Sequence, residues 1–301
     1  MWKQQSSGAE LRPGDVFGPF RLDRELGRGG MGIVFRATRL ADGEVVALKV
    51  LRGELSGDTV FRRRFLHEAR AASAVTNRHL VPIVDAGEVD GHQYLAARCV
   101  EGMSLEQRIR AEGALPVDDV VRMVAQIASG LDALHSAGLV HRDVKPANIM
   151  LEEGGGALLT DFGLSKGSAY TVLTEPGSVM GTVDYLAPEL IRGGAASPAT
   201  DIYALGCAAH ECLTGAPPFA ASEGVVAIGL AHLNDDPPDP AAHRRDVPPE
   251  VSWAVLQALA KAPERRPPTA TAYSLTLAAA LRGRRAGDAG RRSGMPGNPL
   301  R

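Results

Sequence analysis

The chain has 301 residues, of which 45% are hydrophobic and 23% are charged, and this composition is typical of a globular protein with one large domain or two packed lobes. Its 33 basic and 35 acidic residues give a net charge of −2, which argues against nucleic acid as a partner. The cysteines Cys99, Cys207 and Cys212 are too few for a disulfide framework and favour a reducing, cytoplasmic location. The polar N-terminus does not resemble a signal peptide, and we expect no membrane span in this chain.

The first third of the chain predicts a strand-rich lobe, because short β-prone runs alternate with turn signals. Two of these turns, Ala41-Asp42-Gly43 and Asp90-Gly91, are typical of hairpins. We therefore expect a five-stranded antiparallel sheet with one helix. The predicted strands are Phe20–Leu26, Ile33–Thr38, Val45–Leu51, Val81–Gly87 and Gln93–Arg98, and the predicted helix is Thr59–Ala74.

After Glu101 the pattern changes to helices. The predicted helices are Val117–Ala137, Pro198–Leu213, Gly224–Leu233, Pro249–Lys261 and Ala270–Leu281, and two short strands are expected near Ile149–Leu151 and Leu158–Thr160. The stretch Asp161–Glu189 is far longer than an ordinary connection, which indicates a functional or a disordered loop. We expect a flexible N-terminus over 1–16, one domain over 17–282 with lobes 17–99 and 100–282, and an Arg/Gly/Pro-rich tail over 283–301.

A glycine-rich segment, Gly27-Arg28-Gly29-Gly30-Met31-Gly32-Ile33-Val34, lies between two predicted strands. Glycines let backbone N–H groups approach phosphate oxygens without obstruction by a Cβ atom. A dinucleotide-binding turn would lie between a strand and a helix, so this placement argues against that fold. Glycine-rich hairpins are common, so this segment taken alone favours an ordinary hairpin.

Lysine is scarce, since only five of the 33 basic residues are lysines. Lys49 lies on the next predicted strand, in Val46-Ala47-Leu48-Lys49-Val50, and would share a face with Ala47. A lone lysine on a strand is usually solvated, whereas one that points into a phosphate site needs a carboxylate to orient it. Glu68 on the following helix is the candidate for that carboxylate.

The most specific segment is His141-Arg142-Asp143-Val144-Lys145-Pro146-Ala147-Asn148, which is followed by Asp161-Phe162-Gly163 and Ala187-Pro188-Glu189. With the glycine-rich segment and Lys49, these motifs resemble those of a protein kinase, in order and at the expected separations. Lys145, Arg-Gly-Gly-Met-Gly and Lys-Pro-Ala-Asn-Ile-Met are similar to bacterial eukaryotic-like (Hanks-type) serine/threonine kinases. The resemblance covers nearly all of Phe17–Leu281 and implies a two-lobed α+β fold with a helical C-terminal lobe.

The resemblance implies a catalytic role for each loop residue. Asp143 would orient the substrate hydroxyl and accept its proton, and Lys145 would neutralise the γ-phosphate of ATP. Thr182 would bridge these two residues. Asn148 and Asp161 would hold Mg²⁺, with Mn²⁺ as an alternative, through oxygen ligands.

The resemblance also implies an ATP site in which Lys49, tethered by Glu68, binds the α- and β-phosphates. The other nucleotide contacts would come from Leu26, Gly27, Arg28, Gly29, Gly30, Met31, Gly32, Val34, Ala47, Arg98, Val100 and Met150. The hinge Arg98-Cys99-Val100 departs from the family, which usually has an acidic residue followed by an aromatic one. Because adenine binds to main-chain groups there, we expect ATP binding to survive this departure. Ala97, at the gatekeeper position, is unusually small and predicts an open back pocket.

By the same resemblance, Asp161–Glu189 is an activation loop. Thr174 is the first candidate phosphoacceptor in it, followed by Thr171 and Ser178, although each could equally be an ordinary polar loop residue. A phosphate there would find a bidentate partner in Arg142.

Three further residues resemble structural positions of the family. Glu189 and Arg266 resemble a buried ion pair that anchors the loop to the helical lobe. Asp201 resembles the helix aspartate that supports the catalytic loop.

The predicted function is ATP-dependent phosphorylation of Ser and Thr hydroxyls on proteins, including autophosphorylation within a homodimer, in bacterial signalling. Two alternatives are weighed against it. A pseudokinase scaffold is disfavoured because none of the catalytic residues is replaced. A small-molecule phosphotransferase of related fold is disfavoured by Lys145, by the long loop and by Ala187-Pro188-Glu189, since those parts build a peptide platform. The arginines of the tail favour a solvated segment over the flank of a membrane span.

Overall fold

The computed structural model describes residues 11–30, 32–52, 59–161 and 183–293. Its N-terminal lobe is one antiparallel sheet of six strands in the order β1-β2-β3-β4-β6-β5, and helix α1 packs against β5. The elements are β1 (Val16–Phe17), β2 (Phe20–Gly29), β3 (Gly32–Arg39), β4 (Val45–Leu51), α1 (Thr59–Ser73), β5 (Ile83–Val89) and β6 (His92–Arg98).

The C-terminal lobe is mainly helical, with a small sheet β7-β8-β9 on the side that faces the first lobe. Helix α5 is buried along almost its whole length, which is typical of the central helix of a lobe. The elements are β7 (Met103–Ser104), α2 (Leu105–Glu112), α3 (Val117–Ser136), β8 (Ile149–Leu151), β9 (Ala157–Leu159), α4 (Pro188–Ile191), α5 (Pro198–Thr214), α6 (Val225–Asn234), α7 (Pro240–His243), α8 (Pro249–Ala258) and α9 (Ala270–Ser293).

The two-lobed α+β fold is confirmed, but several elements differ from the prediction, among them the short β7, α4 and α7, which were not predicted. The sheet has a sixth strand, β1, whose two residues are too few to produce an alternating pattern. Helix α2 was not predicted, although Ser104 and Gln107 form a capping box at its start. Helix α9 continues to Ser293 instead of ending at Leu281, so the first part of the expected tail is helical. Arginine and alanine, which are frequent there, both favour helix.

Successive side chains of β4 point to opposite faces of the sheet. Val46, Leu48 and Val50 are buried in the core of the sheet, whereas Ala47 and Lys49 are half-buried on the other face. This alternation turns Lys49 away from the core of the sheet. No helix in the described part of the chain is long and apolar enough to cross a membrane.

Candidate active site

The loop between α3 and β8 brings three predicted catalytic residues together around one carboxylate. Lys145 Nζ lies 3.1 Å from Asp143 Oδ2. The side-chain amide of Asn148 donates to the same oxygen at 2.9 Å and to the backbone carbonyl of Asp143 at 2.8 Å. Val144 is buried and fixes the loop to the core. The Asp143 carboxylate is therefore held in one orientation by two side chains.

Asp201, near the start of α5, holds the backbone of this loop through hydrogen bonds. Its Oδ2 accepts from the backbone N–H of His141 and its Oδ1 from that of Arg142, both at 2.8 Å. Arg142 has a φ of 66°, in the left-handed region that non-glycine residues seldom adopt. Such a conformation costs roughly 1–3 kcal/mol and persists where the surroundings enforce it. The buried Asp201 carboxylate, which accepts a backbone N–H of the loop on each oxygen, provides that enforcement.

His141 is buried, and its ring contacts backbone groups of the protein interior. Its Nε2 lies 3.1 Å from the carbonyl of Thr160, and the N–H of Asp143 donates to its Nδ1 at 3.3 Å. A ring that donates at Nε2 and accepts at Nδ1 is the neutral tautomer. Burial lowers the pKa of His141, which keeps this tautomer at neutral pH. The motif drew attention to His141, but only the structure assigns it this connection between Thr160 and the catalytic loop.

Lys49 reaches the other side of the cleft. Its Nζ lies 3.1 Å from Asp161 Oδ1, and both side chains are largely shielded from solvent. Asp161, like Arg142, has a positive φ, of 58°. The contact joins the sheet of the first lobe to the end of β9, where the predicted metal ligand lies.

The predicted tether between Lys49 and Glu68 is not formed in this structure, since no ion pair joins these two described residues. Glu68 instead accepts from Arg142 Nη1, at 3.1 Å through Oε1 and 3.4 Å through Oε2, and Arg64 Nε lies 3.6 Å away. A guanidinium can contact both oxygens of a carboxylate, whereas an ammonium is a point charge. In this arrangement Lys49 pairs with Asp161 and Arg142 pairs with Glu68, so each of these two cations has a carboxylate partner.

The glycine-rich hairpin leaves open space beside its backbone. A Cβ added at Gly27, Gly29 or Gly30 would meet nothing within 4 Å, so space is open beside the backbone there. Gly32 differs, because a Cβ there would lie 2.2 Å from the carbonyl oxygen of Val50, and the sheet itself requires this glycine. The neighbouring Arg28 contacts Glu25 at 2.8 Å. Leu26 is partly exposed at the start of the hairpin turn, and Met31 lies outside the described residues.

Strand register places the predicted adenine residues around one end of the cleft. Ala47 lies opposite Ala97, and Lys49 lies opposite both Val34 and Leu95. The N–H of Arg98 donates to the carbonyl of Pro82 at 2.9 Å. The Arg98 side chain turns away to Glu152 at 3.2 Å, which explains how an arginine is accommodated in the hinge. Val100 follows on in the hinge, and Met150 is half-buried on β8.

The predicted metal ligands present suitable atoms. The amide nitrogen of Asn148 is already used by Asp143, which leaves the amide oxygen as its ligand atom, and Asp161 supplies a carboxylate. Two protein oxygens suit Mg²⁺, which completes its six-coordinate shell with water and phosphate oxygens. Thr182, Thr171, Thr174 and Ser178 lie outside the described residues.

Glu189 and Arg266 form a bidentate ion pair, with both N–O distances at 2.8 Å. The side chain of Arg266 is fully buried and also donates to the carbonyls of Ala199 and Ala260. Burial raises the pKa of the Glu189 carboxyl, but the hydrogen bond and charge of Arg266 outweigh burial and bring that pKa below its usual value. The pair fixes α4 to the turn that precedes α9.

Sequence reasoning missed a buried acid beneath the same region. Tyr185 donates to Glu211 Oε2 at 2.5 Å, and Glu211 on α5 is almost fully buried. Burial raises the pKa of Glu211 to about 7; the Tyr185 hydrogen bond opposes the shift, and the charges of Asp184 and Glu106 add to it. A lone glutamate on an apolar helix was the available sequence signal.

A two-lobed fold with this cleft defines the class of protein. A family model described as "Protein kinase domain" matches residues 20–274, and the chain belongs to the protein kinase family. It is similar to "Serine/threonine-protein kinase PknH" of Mycobacterium tuberculosis, with 42% identity over 91% of this chain and 43% of the relative. "Serine/threonine-protein kinase PknE" of the same organism is 41% identical over 91% of this chain and 48% of the relative. The chain therefore spans less than half the length of these relatives.

Solved structures agree with this assignment. The crystal structure of the Mycobacterium tuberculosis PknI kinase domain matches with a TM-score of 0.72 and 31% identity, and the match covers 90% of this chain and 100% of that chain. A second crystal structure of the same kinase domain matches with a TM-score of 0.74 and 31% identity, over 90% of this chain and 99% of that chain.

Proposed function

We propose that this chain is an ATP-dependent protein kinase that transfers the γ-phosphate to Ser and Thr hydroxyls of proteins. The observation that carries the proposal is the geometry of two groups of residues: the Asp143 carboxylate is fixed by Lys145 and Asn148, and Lys49 of the first lobe contacts Asp161 at the end of β9. Phosphoryl transfer needs oriented groups and charge stabilisation more than covalent chemistry, and this arrangement supplies both.

Each side chain has a role that follows from its atoms. Asp143 would accept a hydrogen bond from the substrate hydroxyl and take its proton. Lys145 is a compact cation beside that carboxylate, suited to the charge on a transferred phosphate. Asn148 and Asp161 would hold Mg²⁺, which, when bound, neutralises charge on the phosphate oxygens. Backbone N–H groups near Gly27 and Gly29 would approach the nucleotide phosphates.

Serine and threonine specificity is favoured by Lys145, two residues after Asp143, and by the names of the relatives. We further propose autophosphorylation between two copies of the chain, with Thr174 as the first acceptor and Thr171 and Ser178 after it. One domain over 17–282 and a cytoplasmic location belong to the same proposal.

The test measures transfer of labelled phosphate from γ-labelled ATP with Mg²⁺ to a general protein substrate. We expect Asp143→Asn to lower the rate by roughly 10²–10⁴-fold, because the proton acceptor is lost. Lys49→Met should also abolish transfer. Asp118→Asn, on the exposed first turn of α3, is the matched control and should retain full activity.

Three outcomes would contradict the proposal. Label transfer that persists in both catalytic variants would contradict the assigned roles. Nucleotide binding without transfer by the wild type would indicate a scaffold. Transfer to small molecules but not to proteins, or label on tyrosine alone, would contradict the proposed substrate class.

A further inference from the structure

His135, on the last turn of α3, contacts the buried group that supports the catalytic loop. Its Nε2 lies 2.8 Å from Asp201 Oδ2, the oxygen that also accepts from the N–H of His141. Only 9% of the His135 side chain and 1% of the Asp201 side chain are exposed. Among the described residues, His135 is the side-chain donor to this carboxylate, whereas its other two donors are backbone groups.

The direction of this hydrogen bond follows from its acceptor. An ionised carboxylate only accepts, so Nε2 of His135 carries the hydrogen. On the other side of the ring, Nδ1 lies 3.8 Å from Asp132 Oδ1. Asp132 is itself fixed, because its two oxygens accept from the backbone N–H groups of Ala270 and Thr271 at the start of α9. The ring thus stands between two oriented carboxylates on α3 and α5.

We propose that His135 is a positioning residue, which holds the Asp201 carboxylate in the rotamer that fixes the catalytic loop. Without this donor, the two backbone N–H groups remain as donors to Asp201, and its carboxylate is less restrained in rotation about its side-chain bonds. Rotation lengthens the bonds to the N–H groups of His141 and Arg142, and the left-handed backbone of Arg142 is then no longer enforced. Asp143 is the next residue, and a displacement of about 1 Å there can cost roughly 10²-fold in rate.

This role predicts a specific pattern of kinetic effects. His135 does not touch the cleft, so its loss should reduce kcat and leave the KM for ATP nearly unchanged. A histidine that merely fills space would instead be replaced equally well by any side chain of similar volume. The inference rests on the proposed kinase activity, so the experiment includes a measurement that does not need turnover.

The experiment compares His135→Met, which keeps the volume and loses the donor, with His135→Gln, whose amide N–H can occupy the place of Nε2–H. We expect a 10- to 100-fold loss of kcat in His135→Met, with KM for ATP changed less than threefold. His135→Gln should recover kcat to within about threefold of the wild type. His243→Met, at an exposed histidine of α7, is the matched control and should have no effect on kcat.

Amide hydrogen exchange at His141 and Arg142, measured without nucleotide, is the second readout. Exchange should accelerate at least tenfold in His135→Met, and His135→Gln should restore most of the protection. Equal kcat values for His135→Met and His135→Gln, or unchanged exchange at both amides in His135→Met, would overturn the inference. If the wild type transfers no phosphate, the proposed function fails, and the exchange data alone still decide the role of His135.

Discussion

Replacement of Glu189 by glutamine tests how strongly its ion pair with Arg266 contributes to stability. The change leaves the fully buried guanidinium of Arg266 without its carboxylate partner. Removal of one partner of a buried pair costs about 3–5 kcal/mol, because the other charge stays desolvated. For a domain of this size, the midpoint temperature of thermal unfolding falls by about 2–4 °C per kcal/mol of lost stability. We therefore expect calorimetry or circular dichroism to show a midpoint that is lower by about 6–20 °C.

The pH dependence of this loss provides an internal check. A carboxyl whose pKa is lowered on folding contributes stability above its unfolded pKa, and that contribution is lost as the pH falls through the folded pKa. Glu189 has a lowered pKa, so the difference between wild type and Glu189→Gln should be full at pH 7 and should shrink below about pH 4.5.

Two further variants separate the contribution of the buried ion pair from that of an exposed charge. Glu106→Gln removes a carboxylate whose arginine partner is solvent-exposed, and the midpoint should stay unchanged. The double variant Glu189→Leu/Arg266→Met removes both charges and should recover part of the loss. A midpoint for Glu189→Gln equal to that of the wild type at pH 7 would refute the ion pair as a major contributor.

Two other predictions concern the back of the cleft and the buried acid. The small Ala97, opposite Ala47, should admit bulky ATP-competitive inhibitors. Ala97→Phe should weaken the binding of these inhibitors at least about tenfold, because the larger side chain would overlap them. Equal inhibition of both proteins in a dose-response assay would contradict this. The raised pKa of Glu211 means that ionisation opposes folding, so wild-type stability should fall as the pH rises from about 5 to 7 and through the folded pKa. The Glu211→Gln variant should lack this part of the pH dependence, and parallel pH curves of the unfolding midpoint for the two proteins would be evidence against it.

The sequence predicted the framework of the fold because hydrophobic period and turn residues are local signals. Strand β4 was predicted with the bounds Val45–Leu51 that the structure has. The two-residue β1 and the eight-residue α2 were missed because a short element contains too little of its period. The capping box at Ser104 was readable in the sequence and would have indicated α2.

The candidate site was predictable in its residues but not in its ion pairs. Motif spacing brought Asp143, Lys145 and Asn148 to one loop, and the structure places both Lys145 and Asn148 within hydrogen-bonding distance of Asp143. The partner of Glu68 could not be predicted, because its carboxylate on α1 pairs with Arg142, which is distant in the sequence, whereas Lys49 pairs with Asp161. Such a choice depends on side-chain geometry across the two lobes, which no local pattern encodes.

The cap that Asp132 places on α9 has a mechanical consequence. Helix α9 is fixed at its first turn by α3, the helix that also carries His135. Its 24 residues extend about 36 Å from that point. A tilt of about 5° around the cap would displace the far end by about 3 Å. Because Tyr273 and Leu277 of α9 are buried in the core of the lobe, such a tilt would also disturb the packing beside α3.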